Sequence, residues 1–247
     1  MSVPTFLIDP ERARDAAIGA TFILDGDEGR HAVAVQRTRI GECIDLVDGS
    51  GTRITAEVVE TGKDSCTVRF DAIEHEPAPH PVITAVQAIA KGDRGELAVQ
   101  MLTEAGVDVI VPWQAVHCVA KWDGDRAAKN HAKWQATARE SAKQSRRSRV
   151  PQIESLSSTA AIADLIANAD VAFVLDEEAT TPLTSIDISA VGDITLVIGP
   201  EGGLSDAERE LFAESGGDLV LLGGNVLRTS TAGVAALSVI SAATGRW

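Results

Sequence analysis

Two hydrophobic rhythms divide the chain. Over residues 1–73 apolar and polar positions alternate in short runs, as in "CIDLVDG" (43–49), "RITAEVVE" (53–60) and "CTVRFDAI" (66–73). A period of two reads as half-buried strands. The pairs Asp48-Gly49, Ser50-Gly51 and Thr61-Gly62 punctuate them as turns. The stretch predicts a small antiparallel β-barrel or sandwich over residues 1–74. "HEPAPHP" (75–81) then places three prolines in seven residues, which reads as a stiff linker. Beyond it, over 82–247, the rhythm changes. "VITAVQAIA", "VDVIVPW", "VAFVLD", "ITLVIG" and "DLVLLG" read as strands. "RGELAVQMLTEAG", Arg126 to about Ser148, "SDAERELFAES" and a closing segment from about Ser230 read as helices. Near-continuous apolar strands alternating with helices predict an α/β fold with a mostly parallel sheet covered on both faces.

Composition narrows the class. At 247 residues there is material for one large or two small domains. The 45% hydrophobic and 23% charged content is that of an ordinary folded protein, which excludes a disordered chain. Cys43, Cys66 and Cys118 lie far apart and form no CxxC pair, which points away from a disulfide framework or a zinc site. The start lacks the architecture of a signal peptide, and no apolar run approaches transmembrane length. The expectation is a cytoplasmic protein with no membrane and no metal partner.

The net charge of −14 at first argues against a nucleic-acid partner. Its distribution argues the other way. Residues 121–149 carry nine lysines and arginines against Asp123, Asp125 and Glu140. On a helix, Arg139, Lys143 and Arg147 would form one stripe with Arg146 beside it, while Arg30, Arg37 and Arg39 add a smaller patch nearer the start. These seven residues are the candidate nucleic-acid-binding set; a merely solvated helix face is the alternative.

The candidate chemistry sits in two loops. "LVIGPEGGLSDAE" (196–208) runs from a strand through glycines into Ser205-x-x-Glu208, a capping box that starts a helix. It is neither a P-loop nor GxGxxG, and Glu201 would repel a polyphosphate. A ligand with a neutral adenine and a cationic centre, such as S-adenosylmethionine, would tolerate that carboxylate. "LLGGNVLRTSTAG" (221–233) repeats the strand-to-glycine-to-helix pattern, with Arg228 among small and apolar residues. Two such loops suggest one shared pocket rather than two unrelated turns. Trp113, Trp122 and Trp134 are candidates either for base stacking or for packing. The five histidines have no metal-ligand spacing.

Together "IGPEGGLSDAE" and "LLGGNVLRTSTA" resemble the two signature segments of SPOUT-class methyltransferases, and more narrowly the bacterial 16S ribosomal RNA (uracil-N3)-methyltransferase family. The resemblance covers essentially the whole chain. "HAVAVQRTRIGE" places His31 and Arg37, and "KQSRRSRVPQI" places Gln144, Arg147 and Pro151. It implies a PUA-like β-barrel followed by a knotted α/β domain working as a homodimer on 16S rRNA in the small ribosomal subunit. Carried over by position, the S-adenosylmethionine pocket would be lined by Leu175, Ile198, Gly199, Pro200, Glu201, Gly202, Gly203, Leu222, Gly223, Val226, Leu227, Thr229, Thr231 and Ala232. Arg228 would be the catalytic residue, steadying charge on the uracil carbonyls. The chain departs from the family at three places: Ser230 stands for a glutamate, Ala115-Val116-His117 for Ser-Glu-Arg, and Met101 for a lysine. The first departure keeps a second reading in view, an RNA-binding assembly factor without catalysis. A dehydrogenase would need GxGxxG after an early strand, which is absent.

Overall fold

The computed structural model describes residues 3–188 and 191–247. The chain forms two units. The first comprises residues up to Ala78 together with Ala142–Val150, and the second Pro79–Ser141 together with Pro151–Trp247.

The first unit is a five-stranded sheet in the order β1 (Thr5–Leu7), β3 (Cys43–Val47), β4 (Thr52–Thr61), β5 (Cys66–His75), β2 (Thr21–Leu24), with the short helices α1 (Pro10–Arg14) and α2 (Gly26–Arg30). The β3–β4, β4–β5 and β2–β5 ladders are antiparallel, as the alternation predicts. The β1–β3 pair is parallel, which the reading of a wholly antiparallel sheet missed. A three-residue strand offers too little period to set a direction from sequence. Alternate residues of β4 and β5 point inward, and Ile44, Leu46, Ile54, Ala56, Val58, Val68 and Phe70 build the core with Phe6 and Leu24.

The second unit is a six-stranded sheet in the order β11 (Asp218–Val220), β9 (Val171–Leu175), β10 (Ile194–Ile198), β6 (Ile83–Ala88), β7 (Val109–Trp113), β8 (Gln152–Ile153). Every ladder in it is parallel. β10 is buried at all five positions, which accounts for its unbroken apolar run. The helices α3 (Arg94–Glu104) and α7 (Thr229–Ala243) pack on each other, as do α5 (Thr159–Asn168) and α6 (Asp206–Glu214). Gly233 lets α7 approach closely: a Cβ there would lie 3.2 Å from Leu102 and 3.3 Å from Ile198. Near the carboxyl terminus, Arg246 clamps Asp108 through both carboxylate oxygens at 2.6 and 3.1 Å and reaches the carbonyls of Pro81 and Gly106.

The long basic helix is shorter than its pattern suggests. α4 (Asp125–Gln144) stops because Arg146 turns into the left-handed region at φ 56°, and the Arg147 amide then donates back to the Ala142 carbonyl at 2.8 Å. That is the hydrogen-bond closure of a helix end. The following residues belong to the first unit rather than to the 82–247 domain expected from sequence. Val150 donates to Gly49, Arg53 to the Arg146 carbonyl, and Arg149 to the Glu76 carbonyl. Arg147 therefore lies off the helix and does not continue an Arg139–Lys143 stripe.

Candidate active site

The carboxyl ends of β9, β10 and β11 open into one cavity of about 510 Å³. Strand ends of a parallel sheet are where loops can converge without interrupting the ladder. After β10, Gly199–Leu204 turns into α6. Ser205 caps that helix, accepting from the Glu208 amide at 3.3 Å, while Glu208 accepts from the Ser205 amide at 3.0 Å. The buried Glu208 carboxylate does more than close the capping box. Its other oxygen accepts from the Val116 amide at 2.9 Å and the Thr159 hydroxyl at 3.2 Å, so it ties α6 to the loop after β7 and to the start of α5. His117 secures the back of the same loop, with Nδ1 3.1 Å from the Gly202 carbonyl and 3.2 Å from that of Gly203. Since carbonyls only accept, Nδ1 carries the proton.

The loop after β11 supplies the opposite wall. Gly203 at φ 70° and Gly223 at φ 155° hold conformations that side chains resist. A Cβ on Gly203, Gly223 or Gly224 would meet nothing within 4 Å, so the backbone there faces open space. Val226 is 77% exposed, an apolar side chain held out on a cavity wall. Thr229, at the first turn of α7, donates its hydroxyl to the Gly199 carbonyl at 2.8 Å and so links the two loops.

All the residues assigned to the pocket from sequence line this cavity except Thr231. The Thr231 amide is drawn into the first turn of α7, donating to the Arg228 carbonyl at 2.8 Å. Arg228 lines the cavity with an exposed side chain. Ser230, the residue at the family's glutamate position, is 4% exposed and outside the wall.

Apart from Glu201 and Arg228, sequence reasoning missed the charged residues of the wall: Arg94, Asp176, Glu177, Glu178 and Arg209. Asp176 is buried and accepts from Arg209 Nε at 2.5 Å, and the Glu178 amide donates to its other oxygen at 2.9 Å. The Asp176 carboxylate pushes the Arg209 guanidinium above its ordinary pKa, so that cation is fixed at every physiological pH. The run Asp176-Glu177-Glu178 follows directly on an apolar strand, and the strand-end rule would have found it. Arg94 and Arg209 carry no such signal.

The basic candidates separate. Arg139 and Arg146 are exposed. Arg30 is exposed and pairs with Asp27 at 2.6 Å, and Arg37 and Arg39 are exposed on the turn before β3. Lys143 is 6% exposed with Nζ 2.8 Å from Glu28, so it is a buried ion pair of the first unit rather than an RNA contact. Trp113, Trp122 and Trp134 are buried and pack. Among the described residues, no cluster of His, Cys, Asp and Glu could hold a metal ion, and no helix is long and apolar enough to cross a membrane.

Comparison with known proteins agrees with this geometry. Residues 76–241 match the model of an RNA methyltransferase domain, and residues 24–71 that of an RNA methyltransferase PUA domain. The chain belongs to this RNA methyltransferase family. Ribosomal RNA small subunit methyltransferase E of Mycobacterium bovis is 40% identical over 233 residues, covering 93% of this chain and 89% of its own. The Bacillus subtilis protein of the same name is 34% identical over 230 residues, with 90% of each chain covered. Among solved structures, ribosomal RNA small subunit methyltransferase E of Neisseria gonorrhoeae, bound to S-adenosylmethionine, superposes with a TM-score of 0.86 at 28% identity over 98% of both chains. The Legionella pneumophila protein Lpg2936, also with S-adenosylmethionine, gives a TM-score of 0.87 at 28% identity over 98% of both.

Proposed function

We propose that the protein transfers the methyl group of S-adenosylmethionine to N3 of a uridine in 16S rRNA, acting on the small ribosomal subunit. The observation that carries this reading is the single cavity between the two glycine loops, with Arg228 exposed on its wall. Its size lies within the roughly 300–1,000 Å³ range of small-molecule sites.

The wall suits the ligand. Ile198, Leu204, Val220, Leu222 and Leu227 offer apolar surface to an adenine. The backbone at Gly223 and Gly224 faces open space, where its amides and carbonyls would meet the polar edge of that ring. Glu177 and Glu201 supply negative charge for an ammonium or a sulfonium, while Asp176 and Glu178 are paired with Arg209. When bound, S-adenosylmethionine supplies an electrophilic methyl group on a sulfonium.

The chain's own work is positional and electrostatic. The Arg228 guanidinium makes no ion pair among the described residues and would face the negative charge that develops on the uracil carbonyls as N3 loses its proton. N3 lies on the pairing edge, so the target base must be unpaired or flipped out. Arg30, Arg37, Arg39, Arg139, Arg146 and Arg147 would hold RNA phosphates, which position the substrate without reading its sequence. We infer further that the protein works as a homodimer and that the two cofactor loops form part of a knot. Both readings rest on the family resemblance.

The buried Ser230 favours the second reading, a catalytically silent assembly factor. One experiment separates the two. Small subunits from cells lacking the gene are incubated with purified protein and S-adenosylmethionine, and the digested RNA is read by nucleoside mass spectrometry. N3-methyluridine absent from the untreated subunits and restored by the protein supports methylation. Cofactor binding without any new methylated nucleoside supports the silent factor.

A further inference from the structure

The two loops of the cavity are linked through a buried side chain outside its wall. Gln87 lies on β6, opposite Ile198 of β10, and is 0% exposed. Its Nε2 donates to Thr229 Oγ1 at 3.0 Å and to the Ala88 carbonyl at 3.1 Å, and Thr229 Oγ1 donates to the Gly199 carbonyl at 2.8 Å. The direction of this chain is forced. A carbonyl cannot donate, so the Thr229 hydroxyl spends its one hydrogen on Gly199 and must accept from Gln87. Turning the amide over would set its oxygen against both the Thr229 oxygen and the Ala88 carbonyl. The orientation leaves Gln87 Oε1 buried with no partner among the described residues. Such an orphan acceptor weakens a fold, so its presence near the end of a buried, mostly apolar strand calls for another role.

We propose that Gln87 is a positioning residue for methyl transfer. It touches neither substrate nor cofactor. It fixes the Thr229 hydroxyl, and through it the Gly199 carbonyl at the end of β10 and the first turn of α7, so that both cofactor loops are held at one spacing before ligand arrives. Preorganisation of this kind is read as affinity and rate rather than as stability. The inference rests on the methyltransferase reading above.

The test uses the full-length protein and four variants: Gln87→Met, Thr229→Val, the double variant, and Thr229→Ser. Each is measured by thermal unfolding, by calorimetric titration with S-adenosylmethionine, and by single-turnover methylation of small subunits lacking the modification. Gln87→Met loses the orphan oxygen together with the two hydrogen bonds of Nε2, so it should melt close to the wild-type temperature while binding S-adenosylmethionine at least tenfold more weakly. Thr229→Val should match its loss, and the double variant should be no worse than the weaker single, since all three break one link. Thr229→Ser keeps the hydroxyl and should recover most of the affinity that Thr229→Val loses.

Wild-type affinity in Gln87→Met, or additive losses in the double variant, would overturn the assignment. So would a melting temperature that falls in step with affinity, since the residue would then be structural. Should Gln87→Met fail to fold, that too counts against it, and the Thr229→Val and Thr229→Ser pair still reads the link from its other end. Wild-type protein that binds no S-adenosylmethionine would sink the methyltransferase reading itself. Wild-type binding left unchanged by Gln87→Met sinks only the positioning role.

Discussion

The two sides of the parallel sheet end in different ways at their carboxyl edge. After β7 the chain fills the space with large side chains. The Trp113 ring meets Phe212 edge-on at 5.3 Å and donates Nε1 to Thr159, while Trp122 and Trp134 stack as a T at 4.9 Å. Gly95 is small because Trp134 lies 3.2 Å from where its Cβ would be. After β10 and β11 the same strand-to-loop-to-helix grammar uses glycines, and the space stays open. Residue volume at the strand end decides whether the edge of the sheet becomes core or site. Glycine serves opposite purposes on the two sides: it admits a tryptophan at 95 and exposes backbone to the cavity at 223 and 224.

Emptying the filled side should give the largest effect. Trp113→Ala removes a fully buried ring and its hydrogen bond, and should cost about 3–5 kcal/mol. Thermal and denaturant unfolding would measure it. A loss under about 1 kcal/mol would mean that this corner is not core. On the open side the expected effect is nearly as large but of another kind. Arg228→Ala should lower single-turnover methylation by about 10²–10³-fold, the usual loss on removing one transition-state donor. Melting temperature and S-adenosylmethionine affinity should hardly move, because Arg228 is exposed. Parallel loss of cofactor binding would instead make Arg228 part of the pocket's framework.

The contrast also explains what the sequence disclosed. Strong periods revealed the elements of the second unit, and the family resemblance carried by the two glycine loops revealed most of the cavity wall. Legibility failed where three-dimensional packing reassigns a residue. Lys143 has the spacing of a basic stripe, but Glu28, more than a hundred residues earlier, buries it. Arg147 has the spacing too, but a left-handed turn at Arg146 removes it from the helix. Gln87 reads as one polar residue in an apolar strand, and only its hydroxyl partner on α7 gives it a role. Arg94 and Arg209 reach the cavity from helices whose patterns say nothing of a ligand.

The smallest effect tests whether the filled side stays closed. Cys118 sits buried in the loop after β7 with Sγ 3.9 Å from the Trp113 carbonyl, whereas Cys43 is exposed on β3. Burial pushes the Cys118 thiol above its ordinary pKa, with the nearby charges of Glu201 and Glu208 adding to the rise. Its thiolate is therefore both scarce and shielded. At pH 8, iodoacetamide should label Cys43 quickly and leave Cys118 unmodified until the protein is unfolded, as peptide mass spectrometry would show. The linkage has a definite sign. The folded state holds the proton more tightly than the unfolded chain, so this contribution to stability is complete below the unfolded pKa and disappears as pH rises through the folded value. Cys118→Ala should thus lose less stability than wild type between pH 8 and pH 10. Rapid labelling of Cys118 in the native protein would show the corner opening on its own, and would erase the distinction between the packed and the open ends of the sheet.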